Sequence, residues 1–250
     1  MIDKRGPNVE GLHVGERVPA TPWYGGYADY VVLPASGAFP LPDSIDMVTA
    51  VASTVVYGTS YHALTDRGNL AAGDLLLVSG ATGGISSAAV QTGKLIGATV
   101  IAAVGSSSKV QAAVDLGADH VVLYGSDAPP LREQLTALTD GRRLDVVLDP
   151  VGSDVFDQWV RELATGGRLL VVGFTEGRIP SVAANVLLLK EAVVSGVFWG
   201  AFREREPVAA SAELNRIWGW IASGDLLSPP RRSVRSPRRL THSTIWRRGE

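Results

Sequence analysis

A glycine-rich turn is the segment of the chain best suited to bind a ligand through its backbone. Residues 79–86 read Ser-Gly-Ala-Thr-Gly-Gly-Ile-Ser and follow the apolar run 75–78. Glycines let backbone N–H groups approach a phosphate closely, and a helix that starts there points its positive end at the anion. The alternative to a phosphate-binding turn is an ordinary tight turn. The segment 79–86 follows the first strand of a strand–helix alternation, and this position favours a pyrophosphate-binding turn.

Ser86 is a departure from the usual dinucleotide-binding turn. A third glycine normally stands at this position and allows the helix to pack closely on the strand. Serine is small, so we expect the turn to form, with weaker cofactor binding as the consequence to test.

The residues after the second strand indicate which dinucleotide is bound. They read Val104-Gly105-Ser106-Ser107-Ser108-Lys109, and the next acid is Asp115. Enzymes that use NAD place an Asp or Glu here to bind the ribose hydroxyls, whereas hydroxyls and a lysine accept a 2′-phosphate. The sequence therefore predicts NADP(H). The competing interpretation is a serine-rich helix N-cap beside a solvated lysine.

Other catalytic chemistry has little support. The chain has no cysteine, which excludes disulfides, thiolate catalysis and cysteine-ligated metals. No metal site is predicted, because the four histidines are dispersed and none was found to have a helix-spaced ligand partner. Tyr57, Tyr61 and His62 are the only acid–base candidates near the turn, and a core or surface role competes for each of them, so the catalytic residue stays unknown.

Short apolar runs alternate with helical segments through most of the chain. This pattern predicts an α/β fold, a doubly wound parallel sheet of the Rossmann type. Residues 1–45 instead resemble short β segments, at 14–18 and 25–34, bounded by Gly and Pro. The predicted strands are 75–78, 99–104, 120–123, 145–149, 168–172 and 193–198; the predicted helices are 46–72, 85–96, 109–116, 131–138 and 155–164.

Composition and charge narrow the function classes. The chain has 250 residues, 46% of them hydrophobic and 19% charged, which is enough apolar material for a large core. The net charge is −2, but residues 229–250 carry seven arginines and one acid, so the remainder is acidic. This tail would suit nucleic acid or anionic lipid, although a poorly ordered tail without a partner is favoured. We expect no nucleic-acid or membrane partner, no signal peptide and a cytoplasmic location.

Together these residues resemble the medium-chain dehydrogenase/reductase superfamily, in its zinc-independent NADPH:quinone oxidoreductase branch. The likeness runs from Gly6 to Leu227 and is specific to the family rather than to a substrate. One of its motifs is Gly-Thr-Ser-Tyr-His-Ala-Leu at 58–64. The other matching segments are 11–18, 26–30, 81–91, 116–121, 145–152, 167–174 and 185–196.

The resemblance implies a domain organisation. Residues 1–45 would be part of a GroES-like catalytic β domain, 46–200 the NADP-binding Rossmann domain, 201–228 a helical return segment and 229–250 a basic, disordered tail. Members of the family begin upstream of Met1 and end with further elements. The chain is therefore expected to be truncated at its front and altered at its back.

The resemblance also assigns site residues. Three residues of the turn would hold the pyrophosphate, two would hold the 2′-phosphate, one would lie beside the adenosine, and three would lie along the nicotinamide half. For the aromatic members, core or surface packing is an equal alternative. In that order the residues are Gly83, Gly84 and Ile85; Ser106 and Lys109; Tyr124; and Gly173, Phe174 and Phe198.

The implied function is NADPH-dependent hydride transfer to a quinone or enone-type acceptor, a small apolar electrophile. The alternative is a catalytically impaired nucleotide-binding or interaction protein derived from such a reductase. Family members also commonly dimerise by pairing their sixth strands edge to edge, so a homodimer is expected through residues 193–198.

Overall fold

A six-stranded parallel sheet forms the centre of the protein. The computed structural model describes residues 1–26, 28–125 and 128–227. The strand order is β3-β2-β1-β4-β5-β6, and every neighbouring pair is parallel. This order confirms the doubly wound α/β fold. The strands are β1 (Leu75–Val78), β2 (Thr99–Val104), β3 (His120–Leu123), β4 (Leu144–Asp149), β5 (Leu163–Val171) and β6 (Val193–Gly196).

Eight α-helices accompany the sheet in the described ranges, together with three shorter helical turns. The α-helices are α1 (Met47–His62), α2 (Gly84–Ile96), α3 (Val110–Asp115), α4 (Leu131–Thr139), α5 (Val155–Glu162), α6 (Ala184–Lys190), α7 (Trp199–Arg205) and α8 (Pro207–Ser223). The turns are 3-10 helices at Ala35–Gly37 and Ser107–Lys109, and a π-helix at Ala63–Arg67. None of the helices seen in these ranges is long and apolar enough to cross a membrane.

The central strands β1 and β2 are nearly continuous apolar runs because both faces of the sheet are covered there. Along β1, Leu76 and Val78 belong to one buried cluster, whereas Leu77 belongs to the other. Successive side chains of a strand point to opposite faces, so a strand buried on both sides has no polar alternation. Both strands begin and end at the residues that the sequence predicted, and so does β3, whose side chains are mostly half-buried.

Several predicted elements begin or end at different residues. Strand β5, expected over 168–172, begins five residues earlier, at Leu163. The helix expected over 46–72 is α-helical only to His62 and continues as the π-helix, since the amide of Gly68 donates to the carbonyl of Ala63. The helix expected to residue 164 stops at Glu162, because Leu163 already pairs with Leu144 of β4. Strand β6 ends at residue 196 rather than 198, where the chain turns into α7.

The two strands predicted in residues 1–45 are not formed as strands. The described part of 17–41 contains instead one antiparallel bridge, between Ala20 and Ala38, flanked by backbone hydrogen bonds. Prolines interrupt both arms of this pairing and cannot donate to a ladder. Among the residues that the structure describes, no strand pairs with residues 30–33, and the side chain of Val32 is 99% exposed.

A third cluster of buried residues joins the N-terminal segment to the end of the described chain. Phe39 and Tyr57 pack there with Trp199 and Phe202 of α7 and with Trp218 of α8. Helix α8 thus returns onto α1. The basic tail predicted at 229–250 lies outside the described residues.

Candidate functional site

A cleft of about 730 Å³ opens at the carboxyl ends of β1, β2, β3 and β4. Its walls are the turn 80–86, the ends of β2 and β3, and the loop segments 150–151 and 175–176. In a doubly wound sheet this edge is where ligands bind, beside the point at which the strand order reverses. Here the order reverses between β1 and β4.

The glycine turn forms one wall of the cleft. Gly80 has a φ of +59°, a left-handed conformation that suits glycine. The amide of Gly83 donates to the carbonyl of Gly80 at 2.8 Å, and Gly83 then caps α2. A Cβ on Gly84 would lie 3.3 Å from Cγ1 of Val56, so the wall has little room for a side chain. The first amides of α2 have no partner within the helix and are available to an anion.

Ser86 stands where a third glycine is usual, and its side chain forms a hydrogen bond within the turn. Its side chain is buried, and its Oγ donates to the carbonyl of Ser79 at 2.8 Å. This bond ties the first turn of α2 to the end of β1. Ser60 of α1 supports the same turn, because its Oγ donates to the carbonyl of Ile85 at 2.7 Å.

The serine–lysine segment after β2 forms a second corner. Ser106 caps the 3-10 helix that follows, and its Oγ accepts from the amide of Ser108 at 3.3 Å. The N-cap interpretation of this segment therefore holds for Ser106, which does not line the cleft. Lys109 is exposed and does line it. Within the described ranges, no salt bridge involves Lys109.

Tyr124 follows β3 and lies at the same corner. Its ring lines the cleft and also packs edge-on against Trp159, with ring centroids 5.9 Å apart. Burial, and then the charges of Glu176 and Asp149, raise the pKa of Tyr124. The phenol is therefore neutral at physiological pH. The side chain of Tyr124 thus both packs against the core and lines the cleft.

The three residues expected along the nicotinamide half are not gathered in this cleft. Gly173 and Phe174 follow β5, and the ring of Phe174 lies against the loop at Gly152. Phe198 is 65% exposed and contacts Trp23 of the N-terminal segment edge-on, with centroids 5.7 Å apart.

The sequence analysis missed two residues that line the cleft and one buried carboxylate that supports its wall. Thr175 and Glu176 line the cleft directly after the predicted Phe174. Asp149 is 1% exposed at the end of β4 and accepts from the amides of Val151 and Gly152. Burial raises the pKa of Asp149, and these hydrogen bonds fix the loop that forms one cleft wall. Their position just after β4 and β5 was the available signal, since ligands bind at that edge.

The three acid–base candidates are engaged elsewhere. Tyr57 donates to the carbonyl of Leu227 at 2.8 Å, and burial raises its pKa to about 12. Tyr61 accepts from Nη1 of Arg216 at 2.7 Å. Neither tyrosine lines the cleft, and His62 does not line it either.

His62 has a helix-spaced partner that the sequence analysis overlooked. Its Nδ1 lies 2.8 Å from Oδ2 of Asp66, four residues later. Glu213 of α8 completes a group of three, and burial and then Asp66 raise the pKa of Glu213 to about 8. A His-x-x-x-Asp spacing on a helix was the available signal for the first pair, whereas nothing in the sequence connects Glu213 to it.

Comparisons with known proteins agree with the fold. A family model described as zinc-binding dehydrogenase matches residues 84–214. Quinone oxidoreductase-like protein 2 of Bos taurus is 35% identical over 225 residues, which are 90% of this chain and 64% of that protein. The chain thus spans just under two thirds of the length of the curated relatives it matches first.

Two solved structures give the same result. The crystal structure of Escherichia coli quinone oxidoreductase complexed with NADPH is 28% identical with a TM-score of 0.82, over 92% of this chain and 70% of that one. A probable oxidoreductase from Mycobacterium abscessus is 35% identical with a TM-score of 0.74, over 90% of this chain and 67% of that one. The chain therefore belongs to the zinc-binding dehydrogenase family, in the quinone oxidoreductase branch of the medium-chain dehydrogenase/reductase superfamily.

Proposed function

We propose that the cleft binds NADPH and that the protein is an NADPH-dependent oxidoreductase, which passes hydride to a quinone or enone-type acceptor. The observation that carries this proposal is the pairing of two corners in one cleft. The free amides at the start of α2 open into it from one side, and Lys109 lines it from another. The relative from Escherichia coli, whose crystal structure contains NADPH, supports the choice of coenzyme.

Residues in the cleft, with Ser106 beside it, suit each part of NADPH. Gly83, Gly84 and Ile85 would bind the diphosphate through backbone amides, since anions are stabilised at the positive end of a helix. The 2′-phosphate would lie beside Lys109 and the hydroxyl of Ser106. The ring of Tyr124 offers a flat apolar surface to the adenosine.

The nicotinamide half is assigned to the residues that follow β5 and β6. Gly173 and Phe174 would lie along it, with Phe198 beyond them at the border of the N-terminal segment. Asp149 would act as a positioning residue here, because it holds the amides of Val151 and Gly152 at the cleft wall.

Bound NADPH supplies the hydride, and the chain binds, orients and shields it. Reduction of a quinone to the hydroquinone by hydride also consumes one proton. Tyr57, Tyr61 and His62 all lie outside the cleft, so this proton is assigned to water rather than to one of these side chains.

The zinc in the family's name finds no fitting donors in this cleft. Zinc sites are built from Cys, His and carboxylate ligands, usually three or four of them. Glu176 is the single side chain of these types that lines the cleft as described. No step of the proposed reaction is therefore routed through a metal.

A second candidate function is coenzyme binding without catalysis. One observation favours it: Trp23, Tyr30 and Val32 are exposed in the segment that would belong to the catalytic domain.

One assay separates the two candidates. NADPH oxidation by the purified full chain is followed by absorbance with 9,10-phenanthrenequinone as the acceptor. Turnover supports the reductase, whereas NADPH binding without turnover favours the binding protein. If NADPH does not bind at all, both candidates are wrong.

Two glycine variants make the assay specific to the cleft. Gly84→Val adds a side chain at a position where even a Cβ would lie only 3.3 Å from Cγ1 of Val56. NADPH binding and turnover should therefore both be lost. Gly219→Ala in α8 is the matched control, because its Cβ would meet nothing within 4 Å.

A further inference from the structure

Three side chains with metal-ligating groups meet outside the coenzyme cleft. His62 ends α1, Asp66 lies in the π-helix that continues it, and Glu213 belongs to α8. One ligand atom from each residue lies within 4.8 Å of the other two. Residues four apart lie on the same side of a helix, which explains the pairing of His62 and Asp66. The third residue reaches them because α8 packs on α1.

One carboxylate oxygen of this cluster meets no N–H or O–H donor. Oε2 of Glu213 is shielded from solvent, and no such donor of the described residues reaches it. Its neighbour is the carboxyl of Asp66, and the two carboxyl groups form a hydrogen bond only when one of them carries a proton. A bound cation would take the place of that proton between the two carboxylates.

Neighbouring side chains fix the orientation of the His62 imidazole. The imidazole of His62 is 5% exposed and stacks on the ring of Phe202, with centroids 4.1 Å apart. This contact fixes the ring, and Nδ1 is presented to Asp66. Arg216 is the nearby cation, and its Nη1 donates to the hydroxyl of Tyr61 rather than to a carboxylate of the cluster.

We propose that His62, Asp66 and Glu213 bind one first-row divalent transition-metal ion that ties α8 to the end of α1. One imidazole nitrogen with two carboxylates is a donor set that suits Zn²⁺ and its neighbours. In a tetrahedral Zn²⁺ site, two ligand atoms that each lie about 2.1 Å from the ion are about 3.4 Å apart. Nδ1 of His62 and Oδ2 of Asp66 are 2.8 Å apart and hydrogen-bonded, so this pair would separate by about 0.6 Å to hold the ion.

The site has a structural role. None of its three residues lines the cleft, so the ion would not touch the coenzyme or the acceptor. It would instead stabilise the third buried cluster, in which α8 covers α1. The inference is thus independent of the proposed function, and either can fail without the other.

Calorimetric titration with ZnCl₂ tests the site. The full chain is prepared without a histidine tag and stripped with a chelator; its lack of cysteine removes thiolates as competing ligands. We expect one Zn²⁺ per chain and weaker binding of MgCl₂. Glu213→Gln and Asp66→Asn should each weaken Zn²⁺ binding by about tenfold or more. Glu206→Gln, at the N-cap of α8 and outside the cluster, should leave it unchanged.

Thermal unfolding provides a second readout. Zn²⁺ should raise the unfolding temperature of the unaltered chain and not that of Glu213→Gln, because an ion that binds only the folded state stabilises it. Without metal, Glu213→Gln should be no less stable, since it removes a buried unpaired carboxylate. The proposal is overturned by the absence of saturable Zn²⁺ binding, or by equal affinity in Glu213→Gln and Asp66→Asn, which would place the ion elsewhere.

Discussion

Replacing Lys109 with alanine should reduce the affinity for NADPH while leaving that for NADH unchanged. Lys109 is exposed, so its ammonium acts through water-like surroundings. A charge and a dianionic phosphate about 4 Å apart in such surroundings interact by about 2 kcal/mol. This corresponds to a roughly 30-fold loss of NADPH affinity. NADH has no 2′-phosphate and loses no contact.

The assay is calorimetric titration of both coenzymes at low and moderate salt. The difference between the unaltered chain and Lys109→Ala should shrink as salt rises, because exposed charges are screened. Lys4→Ala is the matched control, since Lys4 is exposed and does not line the cleft. A loss of less than about threefold for NADPH, or an equal loss for NADH, would refute the assignment of the 2′-phosphate to this corner.

Three further outcomes are expected. Ser86→Ala should lower the free energy of unfolding by about 1 kcal/mol, because it leaves the carbonyl of Ser79 without its donor; urea denaturation measures this, and an unchanged midpoint would contradict it. Burial acts to raise the pKa of Asp119, but hydrogen bonds from Lys94 and a backbone amide outweigh it and lower the pKa. Asp119→Asn should therefore be less stable at neutral pH by about 1 kcal/mol, and this difference should disappear as the pH falls below the ordinary Asp range; a constant difference would count against it. Light scattering should show a dimer that Val193→Glu converts to monomers, since β6 is an edge strand and Val193 is half-exposed; a monomeric unaltered chain removes the idea.

The centre of the sheet could be predicted because its strands are buried on both faces. The run Leu75–Val78 contains no polar residue, so its ends are clear in the sequence. The N-terminal segment could not be predicted in the same way. Its aromatic and β-branched residues have the composition of strands, but a strand also needs a neighbour with free donors. Pro19 and Pro40 each remove one donor from the pairing between 17–21 and 37–41.

The candidate site was predictable to the extent that it is local in sequence. The turn at Gly83 and Gly84 and the lysine after β2 lie within a few residues of strand ends, and both line the cleft. Residues whose roles depend on tertiary contacts were missed or remain proposals. Glu213 meets His62 only because α8 packs on α1, and Phe198 lies against Trp23, far from it in sequence.

A crystal structure of the full chain with NADPH tests the central claim most directly. The account predicts the diphosphate at the amides that begin α2, and the 2′-phosphate beside Lys109 and Ser106. Coenzyme bound at another edge of the sheet, or an empty cleft at saturating NADPH, would contradict it.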